Sequence, residues 1–303
     1  MNSLKVYLTL FVSLLFSSAC IPSKIETEKI TLEWVSSLSG LNGTFDHDSS
    51  TFKATLDRSN LNVTVDGVHI TAALGLQAWV SLTGTKSRAV LLGDFPLKEA
   101  EVSGALRTLV DAGLSVTSLH NRFLLDSPRV FSLHFEAIGN AETLAKMMST
   151  VFKALSENHF SAPLKHENKN LEPSKSTLDP KQLETLLWKG QFTDGVYRVS
   201  LGRGTILGNL KVGESTGAES WAAFAGSREY AVVNGDIATL EFEIPFVLKD
   251  LLKAGIQITS IHTHMTQEKP RLVFIHFWGT GPIEVLAQGV KAAIWEKEHF
   301  QAQ

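Results

Sequence analysis

The sequence predicts an α+β fold built from two homologous domains, each a mainly antiparallel sheet with helices packed on one face, in the approximate order ββββαββα. Three observations lead there. The first is an internal repeat: Trp79, Gly93, Asp94, Glu99, Gly113, His120, Pro128, Arg129, His134 and Phe135 recur, always 142 residues later, as Trp221, Gly235, Asp236, Glu241, Gly255, His262, Pro270, Arg271, His276 and Phe277. A constant spacing without insertions marks a duplicated domain. The second is that strand-like runs and helical runs do not alternate strictly, which disfavours a parallel sheet. The third is an ordinary globular composition over 303 residues, 44% hydrophobic and 19% charged, enough for two domains that each bury a core.

Taken in order, residues 1–20 read as a targeting segment. Lys5 is followed by an apolar run over 6–16, then Ser17, Ser18 and Ala19 before Cys20. The run falls short of the roughly 20 apolar residues that a spanning helix needs, so it reads as a secretory signal. Cys20 is the only cysteine, so stability in an oxidising envelope must come from packing and not from disulfides.

The first repeat is expected over 27–160, opening with a helix over 27–38 in which Ile30, Trp34, Val35 and Leu38 share a face. A polar linker with Pro163 and Pro173 follows over 161–178. The second repeat, 179–303, begins at Asp179-Pro180, an N-cap followed by proline at the first helical position. Strands are expected over 196–201, 209–212, 221–225 and 230–234, with Gly235-Asp236 read as the turn ending the last of them. An amphipathic helix over 240–254 stops at Gly255. Strands 256–265 and 271–278 form a hairpin with a short loop, and a helix over 283–295 closes the chain.

Candidate chemistry concentrates on that hairpin. His262 and His264, two apart on a strand, point to one face, and an even register brings His276 to the same face. Three such imidazoles suit a divalent metal such as Zn with an open fourth position, and Asp236 and Glu241 are the nearest carboxylates. The first repeat keeps His120 and His134 but has Arg122 in place of His264; a guanidinium is permanently charged and has no lone pair for a metal. A metal-free polar ligand pocket and a purely structural histidine cluster are the competing readings.

Other repeated residues have structural readings. Glu99 and Glu241 fall in a first helical turn, where a carboxylate gains about 0.3–1 kcal/mol from the macrodipole. Arg271 binds an anionic ligand or a carboxylate across the sheet. Trp79 and Trp221 read as core residues.

Two resemblances add to this. Small residues before a lone Cys20 resemble a bacterial lipobox, with Ser17 where Leu is usual; lipidation there would anchor the chain to a membrane. Ile21 after it, by the same resemblance, points to the outer membrane in a Gram-negative cell. The block from Gly255 to Met265, containing Thr259-Ser260-Ile261-His262-Thr263-His264-Met265, and the block Pro270-Arg271 to His276-Phe277-Trp278-Gly279 resemble the LppY/LpqO family of exported bacterial lipoproteins. That resemblance implies a duplicated domain of unknown function in the cell envelope. The first copy departs from it at Asn121-Arg122-Phe123 and at Glu136, which stands where Trp278 does.

A formal charge of −3 from 28 basic and 31 acidic residues leaves no electrostatic footprint for nucleic acid. Two function classes remain. One is an envelope lipoprotein that binds a small polar ligand, a metal or a wall component through the second repeat. The other is a metal-dependent hydrolase or lyase with Asp236 or Glu241 as base. No nucleophile elbow or phosphate loop supports a metal-free enzyme.

Overall fold

The computed structural model describes residues 29–160 and 170–300, with side chains described as far as 294. Cys20, the apolar run before it and part of the linker, 161–169, lie outside the described residues.

The first repeat runs α1 Leu32–Ser39, β1 Thr44–Asp46, β2 Thr51–Asp57, β3 Thr64–Val65, β4 Val68–His69, β5 Gln77–Gly84, β6 Ala89–Lys98, α2 Glu99–Asp111, β7 Ser115–Asn121, β8 Asp126–Ser127, β9 Val130–Gly139 and α3 Ala141–Ser156. The second runs α4 Pro180–Leu186, β10 Gln191–Thr193, β11 Val196–Gly202, β12 Thr205–Leu207, β13 Leu210–Val212, β14 Glu219–Gly226, β15 Ala231–Thr239, α5 Ile244–Lys253, β16 Gln257–His262, β17 Val273–Gly281 and α6 Ile283–Phe300. None of the described helices is long and apolar enough to cross a membrane.

The caps follow from the sequence. Thr31 accepts the Trp34 N–H at the start of α1, and Asp179 accepts the Lys181 N–H at the start of α4, ahead of Pro180. Gly40, at φ +65°, ends α1 in the left-handed conformation that glycine adopts without penalty.

The two halves form a single 12-stranded antiparallel sheet in the order β1-β2-β5-β6-β9-β7-β16-β17-β15-β14-β11-β10. Read outward from the centre, both halves have the same order, and they meet where Leu119 of β7 pairs with Ile261 of β16. Along β5, Ala78, Val80 and Leu82 are buried against the helices while Trp79, Ser81 and Thr83 face outward, as the two-residue period of a strand requires. Ile275 and Phe277 point into the core, which leaves His276 and Trp278 on the opposite face.

Instead of two separate cores, apolar residues of both repeats form one cluster, with Leu119, Val116, Ile258 and Ile261 at the seam. Helix α2 packs on α5 across it, and Arg107 donates to the Leu252 carbonyl at 3.1 Å. On the other face each repeat carries a β-arm over a small satellite core. Strands β3–β4, with β8, cover Val63, Ile70, Leu76 and Val130. The β12–β13 hairpin covers Ala218, Ala238, Leu272 and Phe274.

Four sequence expectations are corrected. Gly93-Asp94 and Gly235-Asp236 do not end strands but lie inside β6 and β15. A Cβ at Gly93 or Gly235 would overlap the ring of Phe135 or Phe277 on the neighbouring strand, so each glycine makes room for a phenyl ring and not for a turn. The helix expected from 240 opens with a 3-10 turn, Glu241–Glu243, before α5. The segment 209–212 belongs to an arm instead of the main sheet. Trp79 and Trp221 lie on the outward face, half-buried beneath Lys53 and Arg198, whose cationic groups stand 4.9 Å and 4.2 Å from the rings.

Candidate metal centre

The hairpin register is even. His262 faces Phe274 and Ser260 faces His276 across β16 and β17, so His262 and His276 are diagonal neighbours on the outward face. Their ring centroids are 4.7 Å apart at 87°. His264 reaches the same place by a different route from the one the spacing predicts. Strand β16 ends at His262, and residues 263–272 form a loop longer than a tight hairpin turn. The arm holds that loop: Ile206 and Lys269 exchange backbone hydrogen bonds, Thr205 donates to the Pro270 carbonyl at 2.7 Å, and Glu268 accepts the Leu272 N–H. His264 then stacks on Phe274, with centroids 3.5 Å apart at 11°. Strand alternation therefore accounts for His262 and His276, and ring stacking for His264.

One ligand atom from each of the three histidines lies within 4.8 Å of the others. Two nitrogens on one tetrahedral zinc ion, each at about 2.0–2.1 Å, are about 3.3 Å apart, so ring rotations that draw the widest pair together by about 1.5 Å close the set on an ion. Beneath them Asp236, 2% exposed, accepts from His276 Nε2 at 2.9 Å and stands 3.5 Å from His264 Nε2. A carboxylate behind ligating imidazoles fixes ring orientation and raises their basicity.

Ser260 fixes the third ring. Its hydroxyl lies 3.3 Å from the Leu119 carbonyl of the first repeat and 3.3 Å from His262 Nδ1. It has one hydrogen, which the carbonyl can only accept, so His262 must donate Nδ1–H and keep its Nε2 lone pair. Burial, reinforced by His276 and His264, holds His262 below the ordinary imidazole pKa. The ring is therefore neutral, as a ligand must be, at neutral pH.

The remaining sequence candidates do not join this group. Glu241 is exposed at the start of the 3-10 turn, and Arg271 is exposed before β17. The acid that matters structurally in that turn is Glu243, 3% exposed, which accepts from the Leu240 N–H and Thr239 and pairs with Arg203 at 2.8 Å. Glu101 does the same for Lys98 N–H and Arg58, at 2.7 Å. Both pairs tie the root of an arm to a helix start. The repeat spacing itself contained them, since Glu101 and Glu243 are also 142 residues apart.

In the first repeat Asp94 lies below His134 as Asp236 lies below His276. His120 Nε2 is 3.2 Å from His134 Nε2, and Arg122 Nη1 donates to Asp94 Oδ2 at 3.0 Å and to Ser132 Oγ at 2.6 Å.

No curated protein matches the chain. Among solved structures, a trimeric bacterial microcompartment shell protein, PduB, and EtuB from Clostridium kluyveri are similar at 8% identity, with 85% and 86% of this chain and 92% of each of theirs covered. Both have a TM-score of 0.19, too low to support any argument. The model of family DUF1529, described as "Domain of Unknown Function (DUF1259)", matches residues 34–154 and again 182–296, well over half of the chain, and the chain belongs to that family.

Proposed function

We propose that this protein is an exported, lipid-anchored envelope protein of the LppY/LpqO type whose second repeat binds a divalent metal ion, such as Zn, through His262, His264 and His276. The observation that carries the reading is the convergence of three imidazoles within 4.8 Å above a buried carboxylate, Asp236. An ion on the imidazoles would place a positive charge beside that buried carboxylate, where opposite charges interact strongly. Binding is preferred to hydrolysis because Asp236 is engaged with two of the rings and Glu241 stands apart at the helix start. The His264 and His276 side chains are partly exposed on the helix-free side of the sheet, so a small polar ligand or wall component would have access to an ion held there.

The test is metal analysis of the purified protein. One zinc per chain is expected, lost on His264→Ala with the circular dichroism spectrum unchanged, and released as pH falls because protons compete for the same lone pairs. A protein that takes up no divalent ion refutes the reading. Anchoring is tested separately: Cys20→Ala should move the protein out of the membrane fraction, and one that stays there, with no lipid on the wild type, removes that part.

A further inference from the structure

The two repeats differ at one point of an otherwise shared cluster. His120, His134 and Asp94 correspond to His262, His276 and Asp236, while Arg122 corresponds to His264. Each aspartate is nearly sealed from solvent, with side chains 8% and 3% exposed, and each needs a positive charge close by. In the first repeat the guanidinium supplies it, 3.0 Å from Asp94 Oδ2. In the second, the imidazoles of His276 and His264 occupy that place, with their Nε2 atoms 2.9 Å and 3.5 Å from Asp236 Oδ2.

The neighbours differ to match. Ser132 accepts from Arg122, and at the equivalent position Phe274 stacks on His264. The hydroxyl suits a hydrogen-bonding guanidinium and the phenyl ring suits an imidazole, so each third residue has its own seat. His120 and His134 share a hydrogen between their Nε2 atoms, which a bound ion would replace. Their Nε2 atoms, 3.2 Å apart, have close to the separation of two nitrogens on one tetrahedral zinc, about 3.3 Å.

We infer that the first repeat is a fixed-cation version of the metal site, in which the Arg122 guanidinium stands in for the divalent ion, and that Arg122→His opens a second transition-metal site on His120, His134 and the introduced imidazole, with Asp94 behind them. The inference rests on the metal reading of the second repeat. The two clusters then differ in what sits above the buried aspartate: a permanent guanidinium over Asp94, and an exchangeable ion over Asp236.

The experiment compares wild type, Arg122→His and His264→Arg, each stripped with chelator, dialysed against Zn²⁺ and assayed for zinc per chain and thermal midpoint. The expected counts are one, two and none. The metal-free His264→Arg protein should also melt above metal-free His264→Ala, because its guanidinium can neutralise Asp236 as Arg122 neutralises Asp94. One ion in both wild type and a folded Arg122→His overturns the inference and leaves the metal reading standing. No ion in wild type overturns the metal reading and this inference with it. Should Arg122→His fail to fold, the His264→Arg comparison decides, and a midpoint no higher than that of His264→Ala overturns the inference.

Discussion

Leu119 pairs with Ile261, the residue that occupies its own place in the other repeat. A residue can face its own equivalent across antiparallel strands only if a pseudo-twofold axis passes between them, normal to the sheet. The axis makes two six-strand halves into one sheet by edge pairing, which removes from each half an edge that would otherwise be open to foreign strands.

Both side chains are fully buried at this axis, in a core drawn from both repeats. The described body should therefore unfold in one cooperative transition. Leu119→Ala or Ile261→Ala should each cost about 2–5 kcal/mol, and the double variant should deviate from additivity by about 0.5–3 kcal/mol because the residues are neighbours. Urea melts monitored by tryptophan fluorescence and circular dichroism check this. Two resolved transitions, one per repeat, would contradict a shared core.

The Ser260 hydroxyl joins the first repeat's Leu119 carbonyl to His262 of the candidate metal centre. Ser260→Ala removes the acceptor for His262 Nδ1–H and frees the ring to change tautomer. Zinc affinity should fall about 10–100-fold, as for other groups that orient a ligating ring, while the melting midpoint of the metal-free protein changes little. A competition titration with a chromogenic chelator measures the change. Equal affinities in the two proteins would remove Ser260 from the site.

In the first repeat, burial is the main cause holding His134 below the usual imidazole pKa, helped by His120 and Arg122 and opposed by Asp94. As pH falls through about 6.5 the unfolded chain takes up this proton before the folded one does, so the group's contribution to stability is lost below that value and retained above it. Arg122→Ala removes a like charge and frees Asp94, and the His134 midpoint should rise. NMR titration of the imidazole resonances in metal-free protein reads both effects. A midpoint that is unchanged or lowered in the variant would mean that the guanidinium does not act on this ring.

What the sequence carries depends on range. The repeat spacing held the paired histidines, and strand parity put His262 and His276 on one face, because both are periodic properties of the chain. The placement of His264 was not local: it depends on Phe274 ten residues on and on an arm some sixty residues back, through Thr205 and Pro270. The seam had no signal at all, since Leu119 and Ile261 read as two ordinary buried strand residues. Gly235 has the local pattern of a turn glycine, because turn and strand glycines differ only in what lies beside them, here the Phe277 ring.

That glycine and its counterpart give the last prediction. Neither Gly93 nor Gly235 has positive φ, so alanine there meets only a steric obstacle. At Gly93 the nearest atoms to an added Cβ all belong to the Phe135 ring, whereas at Gly235 the Phe277 ring is joined by the Trp221 backbone carbonyl. A side chain can rotate away or be trimmed, but a carbonyl in a sheet ladder cannot move without breaking its hydrogen bonds. Each alanine should cost about 1–3 kcal/mol, the usual range for overpacking. Phe135→Leu should recover most of the loss from Gly93→Ala, while Phe277→Leu should recover only part of that from Gly235→Ala. Double-mutant cycles by urea melts measure the two couplings. Equal rescue at both positions would show that the Trp221 carbonyl is not the limiting contact, and no rescue at either would show that the phenyl rings are not what these glycines accommodate.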